Sequence, residues 1–170
     1  MIEPSDHRSR EAFVARYGGI YEHSAWVAEA AFDAGPPPPE GGAEALHAAL
    51  SKAMRAAPRE QHLALIRAHP DLAGRLALAR ALTAASTEEQ RSAGLDQCSP
   101  EELARFTALN DAYKARFGFP FIIAVRGNSK ESILRSFETR LGNDREAEVA
   151  TALGEIAKIV RLRLADAVAP

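Results

Sequence analysis

The stretch from Arg67 to Asp71 places a histidine, His69, directly before a proline, Pro70. Proline disfavours the helical conformation for the residue before it, so we expect His69 at a helix junction, where its ring can face a cavity. A proline in a first helical turn would also leave nearby backbone donors free for an anionic ligand. The alternative is a junction residue whose ring bonds only to backbone, and the local pattern favours that alternative.

Ser86, Glu89 and Gln90 are spaced so that all three can share one face of a helix. A hydroxyl, a carboxylate and an amide placed together could bind a ureido group and move a proton. Serine followed by glutamate three residues later is also a capping box, which is the favoured interpretation of the local pattern. The two interpretations are compatible, because a capped first turn can line a pocket.

The run from Phe117 to Gly127 breaks a helix at Gly118 and Pro120 and continues at once with apolar residues. It contains the only strand-like stretch, and one strand cannot make a sheet, so we expect a buried extended segment near residues 119–126. Buried backbone groups without helical partners must bond something, and an amide-rich ligand is one candidate. A linker that merely crosses the core is an equally good interpretation.

Two arginines, Arg161 and Arg163, lie between apolar positions of the last predicted helix. Either could turn inward and bind a carboxylate through its planar guanidinium. For each arginine taken separately, a solvated head group on a buried stem is the favoured alternative.

Several classes of site and partner are excluded by what the sequence lacks. It contains neither the His-Glu-x-x-His zinc spacing, nor a glycine–lysine phosphate loop, nor a glycine-flanked nucleophilic serine. Cys98 is the only cysteine, and of the histidines only His62 and His69 are near neighbours, so we expect neither a disulfide nor a metal site. A formal net charge of -2 offers no basic excess for nucleic acid.

The elements that position these residues are predicted to be helices. The chain is rich in alanine and only 6% aromatic, which favours packed helices over sheets. Capping serines, proline and glycine stops and apolar periodicity predict helices over residues 10–17, 24–32, 43–54, 60–68, 100–116, 129–141 and 144–165. The apolar stripe of the last helix consists of Val149, Leu153, Ile156, Val160 and Leu164.

The length of 170 residues fits a single domain over residues 1–170. No apolar run is long enough to span a bilayer, and the polar residues from Met1 to Arg10 do not form a secretory signal. We therefore expect no membrane partner and a cytoplasmic location.

Taken together and in order, these segments resemble the 2-oxo-4-hydroxy-4-carboxy-5-ureidoimidazoline (OHCU) decarboxylases. The matching pieces are residues 17–26, 69–74, 82–90, 93–95, 109–113, 117–127 and 161–164. Any one piece would be weak evidence, but the ordered set is specific and covers most of the chain. Ala25 stands where proline is expected, and the proline-rich connector at 35–39 is particular to this chain; both departures concern only local backbone shape.

The resemblance implies an all-α, single-domain helical bundle, commonly a homodimer, that turns a small ureide into (S)-allantoin by decarboxylation with neither a metal nor an organic cofactor. It implies that His69 and Glu89 are the catalytic pair and that Arg163, rather than Arg161, contacts the carboxylate or the ring. Further substrate contacts are implied at Pro70, Ser86, Gln90 and the backbone of Ile122, Ile123, Ala124 and Val125.

Two other functions compete with this interpretation. A non-catalytic helical interaction module that keeps the scaffold would tolerate replacement of His69 and Glu89. A ureide hydrolase would need a metal ion or an activated nucleophile, and the sequence indicates neither.

Overall fold

The computed structural model describes residues 2–72 and 98–168, and within these it contains α-helices and two short 3-10 helices but no β-strand. The α-helices are α1 (Arg10–Tyr17), α2 (Trp26–Asp33), α3 (Gly42–Ala56), α4 (Arg59–Ala68), α5 (Pro100–Phe117), α6 (Lys130–Leu141) and α7 (Arg145–Ala167); the 3-10 helices are Pro4–His7 and Pro39–Gly41. The prediction of an all-α fold is confirmed, and each predicted helix within these residues is present to within about two residues.

Serine side chains begin three of these helices by accepting hydrogen bonds from backbone donors of the first turn. Ser9 caps α1, where its Oγ accepts from the Ala12 N–H at 3.1 Å. Ser99 begins α5 in a reciprocal capping box: its Oγ accepts from the Glu102 N–H at 3.1 Å, and Glu102 Oε1 accepts from the Ser99 N–H at 3.1 Å. Ser129 caps α6. Each such cap stabilises its helix by about 1 kcal/mol.

The long helix α7 buries the apolar stripe predicted from its sequence. Val149, Leu153, Ile156, Val160 and Leu164 are all buried. Burial of a side chain of this size contributes about 1.5–3 kcal/mol relative to its exposure, as an upper estimate. The stripe therefore fixes which face of α7 packs inward.

The described chain forms two compact units: the first is Met1–Ala68 with Ala157–Pro170, and the second is His69–Ile156. The first unit buries Phe13, Tyr17, Leu46 and Leu50, among others. The second is built on an aromatic cluster in which Phe121 stacks on Phe137, with ring centroids 3.6 Å apart. Helix α7 contributes residues to both units. That residues 1–170 form one domain stays a prediction.

Helix α5 ends at Gly118, which adopts φ 75°, a left-handed conformation that suits glycine. Pro120 follows and cannot continue the helix. Residues 119–125 then run outside any helix, and every one of them is buried. The predicted burial of this segment is confirmed.

No α-helix in the described ranges is long and apolar enough to cross a membrane.

Candidate active site

His69 lies immediately after α4, at the junction predicted from Pro70. Helix α4 ends at Ala68 because the residue before a proline disfavours helical geometry. The His69 side chain is only 3% exposed. Histidine is a common proton-transfer group near neutral pH, and here it is held in a buried, non-helical position.

The residues after His69 are tied to α5 through Asp71. Lys114 donates a hydrogen bond to Asp71 Oδ2 at 2.9 Å, and this bond raises the pKa of Lys114. The lysine is half exposed, so the ion pair contributes at most about 1 kcal/mol. It orients the chain that follows His69 rather than holding the fold together.

The predicted ligand-binding backbone, Ile122 to Val125, is held by side chains from two helices and a turn. Arg140 Nη1 donates to the Ile122 carbonyl at 2.7 Å, and Glu155 Oε2 accepts from the Ala124 N–H at 2.9 Å. Asn128 Nδ2 donates to the Ala124 carbonyl at 2.7 Å. Buried backbone groups require hydrogen-bond partners. Side chains of the protein provide some of these hydrogen bonds, for which a ligand was one candidate partner.

A buried ion pair between Arg140 and Glu148 contacts this segment through Arg140. Arg140 Nε lies 3.0 Å from Glu148 Oε2, and the two residues are 6% and 0% exposed. Tyr113 donates from its hydroxyl to Glu148 Oε2 at 2.5 Å, and Asn143 Nδ2 donates to Oε1 at 3.0 Å. Burial, followed by the bond to Glu148, raises the pKa of Tyr113 well above its usual range, so the phenol remains a donor.

Sequence reasoning missed Arg140, Glu148 and Glu155, although a signal existed for the ion pair. Arg140 continues the face of α6 that carries Ile133 and Phe137, and those two residues are fully buried. Glu148 lies four residues before Ala152, on the buried side of α7. A charged residue within an apolar helical stripe indicates a buried polar contact, but it does not identify the partner.

The two candidate arginines of α7 have different surroundings, both within the first unit. Arg163 Nη2 donates to Glu22 Oε1 at 3.0 Å, and its Nη1 donates to the Ile20 carbonyl at 3.1 Å. The Arg163 side chain is 19% exposed. Arg161 pairs with Glu44 on the surface, and its side chain is 61% exposed. Arg163 therefore occupies the more enclosed position.

The predicted site residues are distributed unevenly over the described chain. His69, Pro70 and Ile122 to Val125 belong to the second unit, whereas Arg163 belongs to the first. Ser86, Glu89 and Gln90 lie outside the described residues. In the ranges 2–72 and 98–168, no group of three or more histidine, cysteine or acidic side chains could hold a metal ion.

A cavity of about 550 Å³ lies elsewhere, between α2 and α3 in the first unit. Half of its lining residues are alanines, and Trp26, Lys52 and the exposed pair of Arg10 and Asp33 also line it. It contains none of the predicted site residues. The assignment of the chemistry to His69 stays a prediction.

Comparison with known proteins gives one consistent result. The profile of the OHCU decarboxylase family matches residues 6–165. A 2-oxo-4-hydroxy-4-carboxy-5-ureidoimidazoline decarboxylase of Haloferax volcanii is 41% identical over 156 residues, which are 92% of this chain and 89% of the relative. One from Amia calva is 40% identical over 158 residues, 93% of this chain and 89% of that protein.

Two solved structures resemble the chain with a TM-score of 0.70 each. An (S)-allantoin synthase is 33% identical, and the match covers 95% of this chain and 51% of that one. An OHCU decarboxylase crystallised in the presence of (S)-allantoin is 23% identical, with 93% and 96% covered, and supports the fold alone.

Proposed function

The chain belongs to the OHCU decarboxylase family, and from this premise we propose that it decarboxylates 2-oxo-4-hydroxy-4-carboxy-5-ureidoimidazoline to (S)-allantoin in urate degradation. The observation that carries the proposal is the 41% identity with a decarboxylase of this name over 92% of the chain. The buried His69 beside Pro70 adds a group suited to proton transfer.

The substrate explains why little more than proton transfer is needed. Its carboxylate is on a carbon that also bears a hydroxyl and adjoins a carbon–nitrogen double bond. When the bond to the carboxylate breaks, its electron pair forms a carbon–carbon double bond, and the former double-bond electrons move to the ring nitrogen, which takes a proton. The substrate is thus its own electron sink, a task that organic cofactors perform elsewhere.

Two proton movements complete the reaction, and we assign them to the catalytic pair. His69 bonds the hydroxyl and accepts its proton as the carbonyl forms, since histidine can act as a base and then as an acid near neutral pH. Glu89 holds the ureido or ring nitrogens and helps direct the returning proton to one face of the ureido-bearing carbon. A single-handed product requires that control.

The remaining contacts hold the ureide in place. Ser86 and Gln90 are proposed to bind its polar groups together with Glu89, and Pro70 is proposed to pack beside it. Between the anchored groups of Ile122 and Ala124, within residues 2–72 and 98–168, the N–H and carbonyl of Ile123 make no hydrogen bond. A ureide could use these groups, together with the rest of the backbone up to Val125.

Arg163 is proposed to bind the substrate carboxylate or ring. A guanidinium has five N–H donors, and the bonds to Ile20 and Glu22 use two of them. Arg163→Lys is expected to raise KM by about 10–100-fold, because a point-like ammonium cannot make both protein bonds and a forked ligand contact. Steady-state kinetics check this.

The matched control for that substitution is Arg161→Lys. Arg161 is exposed and pairs with Glu44 on the surface, so the KM of Arg161→Lys is expected to stay at the wild-type value. Equal KM values for the two variants, or a rise confined to Arg161→Lys, would show that Arg163 does not contact the substrate.

The reaction is proposed to need no cofactor. After treatment with a chelator and desalting, the protein is expected to keep its full turnover and to show no visible absorption. The reason is the electron sink within the substrate. Activity that is lost on chelation and restored by a divalent ion would overturn this proposal.

A homodimer in the cytoplasm completes the proposal. The family resemblance supports the dimer, and light scattering on the purified protein measures its mass. The single cysteine, Cys98, is compatible with a reducing compartment, and cell fractionation tests the location.

The function is tested by a coupled assay that starts from freshly oxidised urate, with hydroxyisourate hydrolase supplied because the substrate decays spontaneously. Added protein is expected to speed both carbon dioxide release and allantoin formation. Ammonia in place of carbon dioxide would indicate the hydrolase alternative. No acceleration of either product would leave the non-catalytic interaction module as the better interpretation.

A further inference from the structure

The ion pair between Arg140 and Glu148 is the most deeply buried charged feature of the described chain, and the catalytic assignment does not use it. Arg140 Nε is within 3.3 Å of both carboxylate oxygens of Glu148. The opposite charges are therefore matched inside the second unit. Such a pair is weak evidence for stability, because desolvation of two ions offsets their attraction.

What distinguishes this pair is the backbone that it holds. Arg140 also donates from Nη1 to the Ile122 carbonyl at 2.7 Å, and its guanidinium lies over the Phe121 ring, 4.2 Å from the centroid. One planar, rigid group thus fixes both a peptide oxygen and the neighbouring side chain. Glu148 keeps that group oriented, and it is itself held by Tyr113 and Asn143.

A second set of contacts fixes the same segment two residues later. Glu155 accepts from the Ala124 N–H, and Asn128 donates to the Ala124 carbonyl. The segment is therefore fixed at Ile122 and at Ala124, so the position of the Ile123 peptide groups between them is determined. A non-helical segment lacks the regular backbone hydrogen bonds of a helix, so other contacts must set that position.

We propose that Arg140, oriented by Glu148, is a positioning residue that sets the backbone of Ile122 to Val125 for hydrogen bonding to the ureide. This inference rests on the proposed function, since it assigns that backbone to the substrate. Arg140 touches no reacting atom. Its effect reaches the substrate through the Ile122 carbonyl, because a shift of about 1 Å in a substrate-binding group is enough to disturb alignment.

The test uses a double variant, Arg140→Met with Glu148→Gln, in the full-length protein. Removal of one partner alone would leave an uncompensated buried charge, whereas replacement of both removes the charges together. The glutamine keeps an oxygen that can accept from Tyr113. We expect the double variant to be folded by circular dichroism. Its KM is expected to rise about tenfold or more, because about one hydrogen bond to the substrate is lost, and its kcat is expected to change less.

Affinity for (S)-allantoin, measured by calorimetry, is expected to fall by a similar factor. The affinity of Arg140→Lys should lie between those of the wild type and the double variant, because lysine can donate to Glu148 or to Ile122 but lacks the forked guanidinium that reaches both. If the double variant does not fold, Arg140→Lys alone decides: an unchanged KM and an unchanged allantoin affinity would overturn the proposal.

The matched control is Ser99→Ala, which removes the cap of α5 and lowers stability without touching the segment. Its KM is expected to equal that of the wild type. An equal rise in KM for this variant would show that general loosening, not positioning, is responsible. If the wild type is active and the folded double variant has an unchanged KM, the positioning role alone is refuted. If the wild type is inactive, both the proposed function and the positioning role are refuted.

Discussion

Replacement of His69 by asparagine is expected to lower turnover by about 10²–10⁴-fold, the usual contribution of a general acid–base group. This corresponds to about 2.7–5.5 kcal/mol of transition-state stabilisation. Asparagine roughly preserves the shape of the side chain but cannot accept and return a proton near neutral pH. Because His69 is 3% exposed, the substitution also needs a check of folding by thermal melting.

The matched control is His62→Asn, the same change on the helix that precedes His69. His62 is half-buried, and its Nε2 lies 2.8 Å from the Met54 carbonyl, a structural contact within the first unit. We expect wild-type turnover with a modest loss of stability. Near-normal turnover in His69→Asn, measured with verified substrate, would mean that another group performs the proton transfer.

Glu89→Gln is expected to lower turnover by about 10²-fold or more and to reduce the enantiomeric purity of the allantoin. The amide keeps the shape and one acceptor oxygen, but it loses the charge and the capacity to take up a proton. Glu89 lies outside the described residues, so its assignment rests on the resemblance of the surrounding sequence. Initial rates and the optical activity of the product measure the two effects.

Glu88→Gln is the control that the chain offers for this substitution. It makes the same chemical change one residue away, and on a helix that begins at Ser86 the Glu88 side chain, two residues on, falls outside the face that Ser86, Glu89 and Gln90 share. Its turnover is expected to match the wild type. Any loss of helix capping by Glu89→Gln should cost about 1 kcal/mol or less, too little to unfold a typical domain. Equal turnover for the two variants would contradict the role of Glu89.

The helical architecture could be predicted because its determinants are local in sequence. Ser99 and Glu102 form a capping box at the predicted start of α5, and Gly118 and Pro120 end the helix where expected. The stripe from Val149 to Leu164 is buried as its spacing requires. His69 stands at the predicted junction because the constraint comes from its immediate neighbour, Pro70.

The polar contacts of the site could not be predicted because they join residues far apart in the chain. Sequence pattern indicated that the backbone near Ile122 needs partners, but it could not show that Arg140 supplies one of them. The same limit applies to Arg163, whose partner Glu22 lies at the other end of the chain. Which helices pack together, and in which rotation, decides such pairs, and periodicity specifies only the buried face.

The central claim is most directly tested by the circular dichroism of the allantoin formed when the purified protein is added to fresh ureidoimidazoline. The account predicts that a dichroic signal of (S)-allantoin rises faster than the spontaneous decay, and that His69→Asn loses this acceleration. Allantoin that appears at the uncatalysed rate and without a dichroic signal would contradict the assignment of this chain as a decarboxylase.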